Sequence, residues 1–138
     1  MWWFYALLSA FFAALTAVLA KVGIRGVDSN LATAVRTAVV VVLAWGIVYF
    51  RGGLGQVQTL TRTNLLFLGL SGLATGLSWI FYFRALQLGK VSQVAPVDKL
   101  SVALVIVLSV LFLGEQLTWQ AGLGAALIVA GTLVLVLG

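Results

Sequence analysis

Five long apolar segments fill nearly all of the 138 residues. A membrane-spanning helix needs about 20 consecutive, mostly apolar residues. Segments at about 3–23, 31–50, 64–83, 93–113 and 119–137 meet that length. The chain is therefore expected to be an all-α integral membrane protein, one transmembrane domain over residues 1–138. Five is an odd number, so the two termini fall on opposite faces of the bilayer. An odd unit of this kind suggests one half of a larger two-fold assembly.

Composition agrees and removes whole classes of chemistry. Hydrophobic residues make up 63% of the chain and charged ones 8%, with mean hydropathy +1.20. A soluble domain runs near 45–50% apolar and about 25% charged. There is no cysteine and no histidine, and Asp28, Asp98 and Glu115 are the only carboxylates. Thiol redox chemistry, His/Cys metal sites and histidine-dependent nucleophiles are thereby excluded. An enzyme is not expected, nor a cofactor or metal. The net charge of +5 reads as topology and anionic lipid, not nucleic acid. The opening MWWFYALL has no basic n-region and begins a span-length run, so it reads as the first helix, not a cleavable signal. Trp2, Trp3 and Tyr5 would anchor it at the interface.

The connections are short. Residues 25–30 form a polar turn, with Ser29 or Asn30 as the expected cap of the second helix. Residues 51–63 are the longest link. The link Gly114-Glu115-Gln116-Leu117-Thr118 is tight enough to make the last two helices antiparallel neighbours. Arg51 and Arg62 lie on the N-terminal side; Lys21, Arg25, Arg84 and Lys90 lie opposite. That bias slightly favours a cytoplasmic C-terminus, and so small a bias suits insertion in both orientations.

Small residues recur at helical spacing. The first helix has Ala6, Ala10, Ala13, Ala17 and Ala20, the third Gly69, Gly72 and Gly76, and the fifth Gly122, Ala126 and Ala130. In lipid, such faces let helices approach closely. The fifth helix is the first choice for a seam between subunits. Glu115 is expected to sit near the N-terminus of that helix, where the dipole favours a carboxylate, and to be structural like Gly114.

Three ionisable residues fall inside apolar helices: Arg36, Asp98 and Lys99. Each costs about 2.5–3.5 kcal/mol at the centre of a span and should face a cavity, a partner or the bundle interior. Both helices that carry them enter from the same side, which places all three ~8–9 Å deep at 1.5 Å per residue. Ser78, Trp79 and Tyr82 of the third helix reach the same layer. On the fourth helix Asp98, Ser101 and Ser109 form a polar stripe, and Pro96 just before it removes a backbone donor and should kink or unwind the helix start. Two readings stand. Arg36 and Asp98 form a structural ion pair while Lys99 snorkels to the surface; or the layer binds substrate or a coupling ion, with Trp79 and Tyr82 either lining it or belonging to the interface belt.

From Gly76 onward the sequence resembles the C-terminal part of an EamA domain of the drug/metabolite transporter superfamily. The matching elements are YFRALQLG, APVDKLS, FLGEQLT and GAALIVAGTLVLV, and LTAVLAKVGI and ATAVRTAVV fit in the first half. The resemblance covers essentially the whole chain as a single five-helix unit, matched at Pro96, Asp98, Lys99, Gly114 and Glu115. Most members resemble two such units fused in inverted topology. The resemblance thus implies one inverted-repeat unit of a drug/metabolite-transporter fold, an antiparallel homodimer in the cell membrane, and secondary transport of small metabolites or drugs by alternating access, often outward. Small multidrug-resistance relatives carry a glutamate in the first helix; here that helix has Ser9 and Thr16 and no carboxylate. Two cations against one carboxylate in the polar layer favour an anionic or zwitterionic solute. The competing expectations are an accessory membrane subunit and a small dual-topology channel.

Overall fold

A computed structural model describes residues 1–138. Its helices are α1 (Trp2–Gly23), α2 (Ser29–Phe50), α3 (Arg62–Leu88), α4 (Val91–Asp98), α5 (Leu100–Leu113) and α6 (Trp119–Leu137), with a 3₁₀ segment at Gly53–Thr59. There are no strands. With α4 and α5 counted together as Val91–Leu113, five helices are long and apolar enough to cross a membrane. Their flanks are exposed apolar surface, which is how a chain solvated by lipid must look, since every backbone polar group is satisfied inside the helix.

The chain packs as two compact units, residues 1–18 with 88–138, and residues 19–87. In the first, α6 packs on both α5 and α4. The face of α6 that is covered carries Ala121, Ala125, Ile128 and Thr132, at helical spacing, and Thr132 is fully buried. Ala126 and Ala130, one step round the helix, are exposed, and Gly122 is half-covered. In the second unit the covered residues gather where α1 ends, α2 begins and α3 ends: Ile24, Ser29, Thr33, Phe83 and Leu86. Residues 54–78 are exposed throughout. Gly69, Gly72 and Gly76 fall there, and a Cβ added at any of them would meet nothing within 4 Å. Within residues 19–87, then, this glycine face has no partner.

Local chemistry explains the element ends, including those misplaced by the sequence. Asp28, not Ser29 or Asn30, caps α2: its carboxylate accepts from the N–H of Asn30 and Leu31 at 2.9 and 3.0 Å. A charged cap also meets the positive end of the helix dipole, and Ser29 is already inside the helix, with its carbonyl accepting from the Thr33 hydroxyl. The third helix runs on to Leu88, past the expected end at 83, because Phe83 and Leu86 continue its buried face. Gly114 stops α5 at φ 67°, a left-handed conformation natural to glycine, while Glu115 N–H closes back on the Ser109 carbonyl at 3.3 Å. The cap of α6 is Thr118, whose hydroxyl accepts from Ala121 N–H at 3.2 Å; Glu115 does not cap it.

Candidate functional site

The fourth span is broken where its charges lie. Pro96 has no N–H to give to the turn below, so the helix cannot run through it unaltered. Over the next residues the ladder tightens to i→i−3 bonds: Lys99 N–H to Pro96 O at 3.0 Å and Val102 N–H to Lys99 O at 3.0 Å. α4 ends at Asp98, α5 starts at Leu100, and Lys99 is the joint. Residues one apart point about 100° from each other on a regular helix and do not normally meet. At this joint they do: Lys99 Nζ donates to Asp98 Oδ2 at 3.1 Å. The two side chains remain 56% and 34% exposed, so the pair contributes little to stability.

A residue of the last span holds the break. Thr132 Oγ1 donates to the Pro96 carbonyl at 3.2 Å. Thr132 is 4% exposed, one of the few buried polar residues of the chain. Near the same end of α4, Gln93 Nε2 reaches Val136 O at 3.5 Å. Neither role was assigned from the sequence. The available signal was that Thr132 is the only polar residue in α6 beyond Gln120. Ser101 is exposed on α5, and Ser109 turns its hydroxyl to Ile106 O at 3.0 Å, so the serine stripe is partly self-satisfied.

In the other unit Arg36 lies flat against an aromatic shelf. Its guanidinium carbon is 3.4 Å from the centre of the Trp79 ring and 5.6 Å from that of Phe83. Trp79 meets Tyr82 and Phe83 edge to face, both at 5.6 Å. Such a stack stabilises by about 0.5–2 kcal/mol, more as water is removed. Asp98 takes Lys99 as its partner, and Arg36 stacks on Trp79. Trp79 carries Arg36 and meets Tyr82, whereas Ser78 is exposed and makes no such contact.

The same unit is tied together at its polar end. Lys21 Nζ donates to the carbonyl of Leu86. Gln87 Nε2 donates to Val27 O at 2.7 Å and Ile24 O at 3.4 Å, and Arg84 donates to Gln87 Oε1 at 3.3 Å. These bonds border a cleft of about 310 Å³ lined by Lys21, Ile24, Arg25, Gly26, Val27, Leu86 and Gln87. No group of histidine, cysteine or carboxylate side chains could hold a metal ion.

Comparison with known proteins completes the site. The EamA-like transporter family matches residues 1–137. A Sinorhizobium protein described as an uncharacterized transporter in the cobO 3' region is 52% identical over 134 residues, which are 97% of this chain and 95% of that protein. No solved structure matches the chain. With five apolar spans, a broken fourth span and a family match from end to end, the chain belongs to the EamA-like transporter family and is a multi-pass membrane transporter.

Proposed function

We propose that the chain is a secondary carrier of small anionic or zwitterionic metabolites, an exporter or exchanger that works by alternating access as an antiparallel homodimer. The observation that carries this reading is the charged joint in the fourth span. Asp98 and Lys99 sit where Pro96 breaks the helix, inside a segment otherwise apolar enough to cross the membrane. Irregular backbone at membrane depth survives where it lines a cavity, and transporters build their substrate and ion sites from such broken helices. Lys99 would meet an anionic group and Asp98 would take the coupling proton or an ammonium. Ser101 follows on the next turn, and in the other unit Arg36, Trp79, Tyr82 and Ser78 are the candidate pathway residues.

Two further observations support the assembly. Five spans leave one unit with termini on opposite faces, so a second copy must insert upside down to restore a two-fold pathway. The relative is covered almost end to end by the same single unit. The exposed glycine face of α3 and the exposed Ala126 and Ala130 of α6 offer surfaces for that second copy.

The test is counterflow into proteoliposomes holding the purified chain, with labelled alanine, glutamate and lactate as probes. We expect saturable flux of at least one probe. Lys99→Ala and Asp98→Asn should each reduce it about tenfold or more, the loss expected for one charge-assisted hydrogen bond, with helix content unchanged. Unaltered flux in both variants would remove the joint from the pathway.

A further inference from the structure

We propose that Arg36, stacked on Trp79, is a carboxylate-binding subsite that selects small monocarboxylates; the inference rests on the carrier reading and adds the chemistry of its substrate. The unit that holds Arg36, residues 19–87, has one carboxylate, Asp28. Asp28 is bonded to the backbone at the start of α2, Asp98 to Lys99, and Glu115 lies in the turn before α6. Asp28 is thus engaged elsewhere, so Arg36, a cation inside α2, has no counter-ion within its own unit.

Geometry decides what that anion is. A guanidinium has five N–H donors in its plane and two flat faces. The guanidinium carbon sits over Trp79, 3.4 Å from the ring centre, and Arg36 makes no hydrogen bond to a side chain within residues 19–87. A carboxylate binds in the plane, through two parallel N–H···O bonds, so it would not disturb the stack. The aromatic shelf fixes the plane of the fork before the anion arrives and lowers the ordering cost of binding. The α2 neighbours do not compete as donors: Thr33 and Thr37 turn their hydroxyls to the carbonyls of Ser29 and Thr33, at 2.8 and 2.7 Å. One positive charge in a low-dielectric wall matches one negative charge. A phosphate monoester carries about −1.5 to −2 at neutral pH, and a single arginine would leave the excess unpaired.

The test reads the shelf itself. Trp2, Trp3, Trp45 and Trp119 are all well exposed on the helices, so replacing them with Phe leaves Trp79 as the one reporter. In lipid nanodiscs its emission is titrated with benzoate, and with uncharged benzamide, benzylamine and inorganic phosphate. We expect a saturable change with benzoate alone. Arg36→Gln should abolish it, and Arg36→Lys, which keeps the charge and can keep the stack but lacks the fork, should weaken it about tenfold or more. No saturable benzoate response, an equal response in Arg36→Gln or Arg36→Lys, or a stronger Arg36-dependent response to phosphate would each overturn the proposal. A purely structural clasp would lower the thermal midpoint of Arg36→Gln and leave the benzoate affinity of the folded protein unchanged. Failure of the carrier reading looks different. Arg36-dependent benzoate binding with no counterflow of any probe removes transport and keeps the site; probe flux that is saturable and intact in Arg36→Gln keeps transport and removes the site.

Discussion

Thr132 contributes one hydroxyl, and that hydroxyl reaches a carbonyl on another helix. The Pro96 carbonyl accepts from Lys99 N–H and from Thr132 Oγ1, so the last span pins the break in the fourth at a defined place. Interhelical side-chain bonds in membrane proteins contribute about 0.6 kcal/mol on average and up to ~1.7. Thr132→Val keeps the shape and removes the donor. It should lower unfolding stability in mixed micelles by about 0.5–1.5 kcal/mol and depress transport more than that loss accounts for, while Thr132→Ser retains both. An active, fully stable Thr132→Val protein would show that the bond is incidental. Arg36 is the other residue whose partner decides its meaning: on Trp79 it is a displayed cation, whereas against Asp98 it would have been half of a closed pair.

At the scale of the element, the α4–α5 joint is a helix kept broken at some cost. Proline in a helix interior is less favourable than alanine by about 3 kcal/mol. Pro96→Ala should therefore let residues 91–113 run as one helix, leave the protein as stable or more so in thermal unfolding, and abolish saturable flux because Asp98 and Lys99 diverge. Native flux in Pro96→Ala would separate the break from the mechanism. This element also shows what a sequence can and cannot reveal. The five spans were legible because run length is a property of local composition, and the disturbed helix start was legible because proline acts on its own turn. The bond from Thr132 to Pro96 spans 36 positions, and that from Gln87 to Val27 spans 60. Such contacts depend on the rotation of one helix face toward another. With few polar residues in each span, no periodicity discloses that rotation. Asp28 was missed as a cap because three consecutive residues, Asp28, Ser29 and Asn30, are all good caps, and only the backbone geometry chooses among them.

For the whole molecule, the central claim is that one five-span unit does not work alone. Its basic residues are divided four against two across the membrane, too even a split to impose one orientation. Its α3 glycines stay uncovered within residues 19–87, and the outer face of α6 within the unit of residues 1–18 and 88–138. Both features fit two copies inserted in opposite senses. The absence of native cysteine makes this directly measurable. One cysteine is placed at Asn30, and in a second protein one at Gly55. Gly55 is preferred to Gly53, because a Cβ at Gly53 would meet Val48 Cγ1 at 3.3 Å while one at Gly55 meets nothing within 4 Å. Each protein is labelled in intact cells with an impermeant maleimide before and after opening the inner face. The expected result is that both sites label in part from outside and in full only after opening, with dimers recovered by cross-linking. If Asn30 labels from one face only and Gly55 from the other only, every copy has one orientation, and the antiparallel homodimer is contradicted.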